Sequence, residues 1–243
     1  ADTISLMDSG RITTATQGEG DGGNIDIIKA DNLTISGDNA GIYASSDNME
    51  GPAGNAGDVT INDAATINLR DSGQISTATK GLGQGGNIEV METGELGISG
   101  NKAGIYASSD NAEGAAGDGG SVVIRDAGTV TLADSGQITT STQGAGAGGN
   151  IDLLKAGALN ISGGNAGIYA SSDNAEGPAG NAGDVTINDA ATINLNDSGQ
   201  ISTATKGPGQ GGNIEVMETG ELSIAGNKAG IYASSDNAEG AAG

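Results

Sequence analysis

Four tyrosines, Tyr43, Tyr106, Tyr169 and Tyr232, are the only aromatic residues of the chain, and each sits 63 residues after the last. Four residues beyond each lies an aspartate: Asp47, Asp110, Asp173 and Asp236. Phenols and carboxylates could do three kinds of chemistry. Carboxylates with Lys or Arg carry glycoside hydrolysis or elimination. Clustered carboxylates and carbonyls hold calcium through hard oxygen ligands. Exposed aromatic rings stack on sugars or on a neighbouring fibre. The chain contains no Cys and no His, which removes thiol and imidazole catalysis and any Cys/His metal cage.

The spacing of these residues argues against a catalytic site, which should interrupt a repeat with unique residues. Here Asp, Glu and Lys recur at 63 or 126 residues. We expect no enzyme; a carbohydrate-active lyase or hydrolase is the alternative. The calcium candidates are Asp47, Asp58, Asp110, Asp173, Asp184 and Asp236, with segments such as 47–58 offering further oxygens. No EF-hand spacing accompanies them, so no cofactor is expected beyond a weak case for calcium. A surface that binds ice is a third class; the STAT and TTAT stretches hint at an outward Thr-x-Thr array, interrupted by YASS in alternate units.

A net charge of −22 with nine Lys and Arg disfavours nucleic acid and anionic lipid. No apolar run approaches the roughly 20 residues of a membrane span.

The elements that position these residues are repeats. GIYASSD follows the 63-residue beat, and so does DSG-x-I, starting at Asp8, Asp71, Asp134 and Asp197. Each unit divides into halves of 33 and 30 residues, as in 22–54 and 55–84. Both halves hold three short stretches of period-2 alternation bounded by Gly, Asn and Asp, which read as strands and turns. The predicted fold is all-β: a parallel β-helix with three short strands per coil. A partial coil, 1–21, precedes two-coil repeats at 22–84, 85–147 and 148–210 and a final coil at 211–243. A β-sandwich or barrel would not place every element at one spacing.

Stacking the halves gives inward rows. Ile25, Val59, Ile88, Val122, Ile151, Val185 and Ile214 form one. Ile27, Ile61, Val90, Ile124, Leu153, Ile187 and Val216 form the next. A third face carries Ile12, Ile42, Ile75, Ile105, Ile138, Ile168, Ile201 and Ile231. The core should be an aliphatic column. Tyr43 and its three counterparts then face outward, about 9.5 Å apart in alternate coils, too far for continuous ring stacking. Asp47, Lys80, Asp110, Gln143, Asp173, Lys206 and Asp236 fall in one row, in which no Asp adjoins another, as charge repulsion between stacked strands requires. Asn24, Asp58, Asn87, Ser121, Asn150, Asp184 and Asn213 form a turn row suited to hydrogen bonding along the stack.

The motif GGN-I-x-[IVL], followed by L-x-I and DSG-x-I-[ST]-T-[AS]-T, resembles the repeat region of filamentous-haemagglutinin-type exoproteins of Gram-negative bacteria and cyanobacteria. The resemblance covers the whole chain. It implies a right-handed β-helix, secretion through an outer-membrane partner, an extracellular or cell-surface location, and adhesion or surface structure. The expected partners are the chain itself, by end-to-end stacking or as a window of a longer array, and surface glycans or neighbouring fibres.

Overall fold

A computed structural model describes residues 1–48, 53–110, 116–173 and 179–236. Every strand in it pairs in parallel with its equivalent one coil away. Three sheets result, visited in the same order in each coil. Sheet I has seven strands of the type Ile25–Ile27 and Val59–Ile61. Sheet II has eight, of the type Ala30–Ser36 and Ala64–Arg70. Sheet III is built from pieces such as Gly41–Tyr43 with Ser46–Asp47, fused into one strand at Gln200–Lys206 and Gly230–Asp236. This is the predicted β-solenoid of about seven turns.

The inward rows fall where alternation placed them. Val59, Ile88 and Val122 pair in succession, as do Ile61, Val90 and Ile124, and Ile75, Ile105 and Ile138. All are buried. Sheet II adds two more rows, Leu33, Ile67, Leu96, Val130, Leu159 and Ile193 behind Ile35, Leu69, Ile98, Leu132, Ile161 and Leu195. Each such side chain contributes about 1.5–3 kcal/mol of burial. On the last coil Leu222 and Ile224 continue these rows at the sheet edge, 47% and 45% exposed.

The coil spacing depends on where it is counted. On sheet III Gly41 pairs Gln74 and Gln74 pairs Gly104, steps of 33 and 30 residues. On sheet I Ile25 pairs Val59 and Val59 pairs Ile88, steps of 34 and 29. Two corners account for the shift. Between sheets II and III, the tyrosine coil takes five residue steps from Ser36 to Gly41, whereas the next takes four from Arg70 to Gln74. Between sheets III and I, Asp47 to Val59 is twelve steps and Lys80 to Ile88 eight. The DSG motif makes the shorter corner: Asp8, Asp71, Asp134 and Asp197 all adopt positive φ near 60°, which Asp tolerates.

The interior is not aliphatic throughout, as the sequence had suggested. Along sheet III the inward phase set by Ile75 continues to Thr77 and Thr79, both fully buried. Thr140 with Thr142 and Thr203 with Thr205 do the same, and Ser46, Ser109 and Ser172 fill the matching places in tyrosine coils. Their hydroxyls donate to carbonyls of the chain turning toward sheet I: Thr77 to Gly86 O at 2.5 Å, Ser109 to Gly83 O at 3.0 Å, Ser172 to Gly146 O at 2.9 Å.

Two glycine columns run through that corner, one at 20, 54, 83, 117, 146, 180 and 209, the other at 23, 57, 86, 120, 149, 183 and 212. A Cβ at Gly86, Gly120, Gly149, Gly183 or Gly212 would meet the carbonyl of the glycine one coil before, well inside 3.0 Å. Only hydrogen fits where backbones stack this closely. The residue after each glycine ties coils together. The turn row hydrogen-bonds as expected: Asn24 Oδ1 accepts from Asp58 N at 2.9 Å, Asp58 Oδ1 from Asn87 N at 2.7 Å, Asn87 Oδ1 from Ser121 N at 2.9 Å. A second ladder, unforeseen, lies three residues earlier, with Asp21 Oδ1 accepting from Asn55 N at 2.7 Å and Asn55 Oδ1 from Gln84 N at 2.9 Å.

Candidate functional site

The outer face of sheet III carries the tyrosines and the charge row together. Thr13, Tyr43, Ser76 and Tyr106 are successive partners across the coils. Each ring folds back over the glycine two residues earlier: a Cβ at Gly41, Gly104, Gly167 or Gly230 would stand 2.6–2.7 Å from ring atoms of Tyr43, Tyr106, Tyr169 or Tyr232. The hydroxyl then reaches a corner carbonyl, Tyr106 to Lys102 O at 3.2 Å and Tyr169 to Asn165 O at 3.3 Å.

That carbonyl is shared. Gln74 Nε2 of the preceding coil donates to Lys102 O at 3.1 Å, Gln137 to Asn165 O at 3.1 Å, Gln200 to Lys228 O at 3.1 Å. Arg11 Nε does so to Asn39 O at 3.0 Å, with its guanidinium 5.5 Å from the centre of the Tyr43 ring, within cation–π range. GIY in one coil and QI[ST] in the next are therefore the two halves of one clamp. Lys102 and Lys228 hold φ of 70° and 65°, a conformation few non-glycine residues adopt; the two bonds to each carbonyl offset its cost. Burial pushes the Tyr106 phenol up to about 12. It raises Tyr169 and Tyr43 as well, with Arg11 pulling Tyr43 the other way. Sequence reasoning placed these rings outward, and missed that Gly at −2 and Gln one coil away seat them.

The charge row has the expected register: Asp47 pairs Lys80, Lys80 pairs Asp110, Asp110 pairs Gln143, Gln143 pairs Asp173, Asp173 pairs Lys206 and Lys206 pairs Asp236. Lys206 Nζ stands 3.5 Å from Asp173 Oδ2. Burial raises the Asp110 carboxyl, and Lys80 pulls it back. Between the two rows lies an open axial groove of about 450 Å3. Tyr43 and Tyr106 flank one side, Asp47, Lys80 and Asp110 the other, with Ser45, Ala78 and Ser108 as floor.

The six calcium candidates divide between two places. Asp47, Asp110, Asp173 and Asp236 lie on the sheet III edge. Asp58 and Asp184 sit in the turn ladder, where each Oδ1 already accepts two bonds from Asn87 or Asn213. Among the described residues no three acidic side chains gather as a metal site; residues 49–52 of the 47–58 segment lie outside the described residues. The Thr-x-Thr pairs that hinted at ice binding point inward, so that array does not face solvent.

Another charged column, unread in the sequence, lines the corner between sheets I and II: Lys29, Asp63, Glu92, Asp126, Lys155, Asp189 and Glu218. Here acid follows acid. Lys29 bonds Asp63 at 3.0 Å and Lys155 bonds Asp126 at 2.7 Å, and these bonds raise both ammonium groups above their ordinary value.

Comparison with family models, with curated proteins and with solved structures finds no match to this chain. The likeness to haemagglutinin-type repeats therefore rests on the GGN and DSG motifs.

Proposed function

We propose that the chain is a non-catalytic segment of a rigid extracellular fibre or stalk, with further coils added by the same ladders from this chain or a second copy. The observation that carries this reading is uniformity: each coil interface reuses the same aliphatic rows, glycine columns and Asx ladders. A structure invested wholly in repeating one interface favours length and stiffness over a single reaction centre. The haemagglutinin resemblance supports a cell-surface setting for such a fibre.

Small-angle scattering of the chain and of a tandem duplication of residues 1–243, joined in repeat register, tests the rod. The duplicated chain should lengthen by about 38 Å at ~4.8 Å per coil with unchanged cross-section. A profile of two jointed bodies would sink the stalk.

A further inference from the structure

The outer face of sheet III is patterned with a period of two coils in two independent rows. One alternates Tyr with Ser or Thr, and the other alternates Asp with Lys or Gln. A surface with period two is complementary to itself when shifted by one coil. We propose that two copies of this chain pair face to face through sheet III, antiparallel, about a twofold axis lying in the interface and crossing the fibre between the coils of Asp110 and Gln143.

The symmetry follows from the two rows. A twofold axis along the fibre would put the tyrosine row of one copy on the charge row of the other, like coil against like. A twofold axis across the fibre keeps tyrosine row on tyrosine row and charge row on charge row while reversing coil order. With the axis between those two coils, Asp47 faces the partner copy's Lys206, Lys80 faces its Asp173, and Asp110 faces its Gln143. The same operation sets Tyr43 opposite Ser202, Tyr106 opposite Thr139 and Tyr169 opposite Ser76, so that every ring meets a small residue. One operator thus satisfies both rows, and it makes an isologous, closed contact.

The size fits. A strand from Gly41 to Asp47 spans about 23 Å and eight stacked coils about 38 Å. The face therefore offers roughly 850 Å2 per copy, against about 800 Å2 in a standard stable interface. The rings are already seated by Gly and Gln, so little side-chain freedom is lost on pairing. The inference goes beyond the fibre reading: it concerns how rods register side by side.

Sedimentation equilibrium of the full chain gives the test, with scattering on the same samples. Dimers are expected at low salt, weakening as salt screens the charge row. Two charge-reversed chains, Lys80→Glu/Lys206→Glu and Asp47→Lys/Asp173→Lys, should each bind themselves at least tenfold more weakly. Mixed together they should recover the dimer, because each new Glu faces a new Lys. Should either reversed chain lose its β-sheet circular dichroism, Ser45→Cys/Ala204→Cys in the cysteine-free chain reads the register directly: oxidation should link position 45 of one copy to 204 of the other. Links of 45 to 45 mean a parallel pair and overturn the proposal. So does a rod that stays monomeric at all concentrations, which leaves the stalk untouched. A monomer whose tyrosine fluorescence responds to neutral oligosaccharides would likewise overturn it and assign the face to a glycan.

Discussion

On sheets I and II the interior is hydrocarbon: Ile, Val and Leu rows that touch coil to coil and are buried in every inner coil. At the corner where sheet III turns toward sheet I it is backbone and hydroxyl. There the glycine columns stack carbonyl on Cα, and Thr77, Thr79 and their equivalents supply the hydrogen bonds. The first region tolerates change of shape, because Val, Ile and Leu already interchange along each row. The second tolerates none where its glycines stack on the coil before, from 54 to 212, and there they recur without substitution. A solenoid can thus be soft in sequence on two sides and hard on the third.

Adding one methyl group at the hard corner should be the most damaging change. Gly120→Ala would drive its Cβ into the Gly86 carbonyl, and neither backbone has room to move without losing its ladder. We expect a loss of more than about 4 kcal/mol in urea unfolding, in the range where single substitutions are exceptional. Gly164→Ala, where a Cβ meets nothing within 4 Å, is the control and should be close to neutral. Equal midpoints for the two variants would erase the distinction between the regions.

Next comes a pair that separates hydrocarbon from hydroxyl. Ile105→Ala empties a fully buried site and should cost about 3 kcal/mol. Thr79→Val keeps the volume but removes the donor that serves Ser46 O at 3.0 Å and Gly54 O at 3.3 Å, for about 1–3 kcal/mol. A Thr79→Val chain as stable as the parent would show that the buried hydroxyls only fill space.

Legibility did not follow that division. Fixed spacing and period-2 alternation gave the Ile and Val rows of sheets I and III and the register from Asp47 to Asp236 residue for residue, because a one-residue slip would have exposed an Ile in every coil; the two rows of sheet II on the soft side went unread. The hard corner was harder to read. Thr is β-branched and polar, so Thr-x-Thr fits either face; only the phase inherited from Ile75 decides that Thr77 and Thr79 point inward. The glycine columns hid inside a composition rich in glycine, although G-x-x-G stands at the same place in all seven coils. The tyrosine clamp joins Gly104 to Tyr106 within one strand and Gln74 to Lys102 O across coils, a four-residue arrangement that no single period announces.

The tyrosine clamp also gives the smallest effect and the one most specific to its chemistry. In the folded chain the Tyr106 phenol keeps its proton up to about 12, whereas an unfolded tyrosine releases it near 10. Between those values the unfolded chain binds fewer protons than the folded one, so stability falls with rising pH. The contribution is whole below about pH 10 and is lost as pH climbs toward 12. Tyr106→Phe removes the bond to Lys102 O, which at neutral pH should cost about 0.5–1.5 kcal/mol. It also removes one ionisable phenol, so the variant should lose less stability than the parent across the alkaline window. Urea midpoints for both chains at neutral and alkaline pH, with the tyrosinate absorbance followed in parallel, separate the two contributions. A parent and a Tyr106→Phe chain with the same alkaline slope would mean that the ring is not held against the Gln74–Lys102 corner, and the outer face of sheet III would then belong to the soft side of the solenoid.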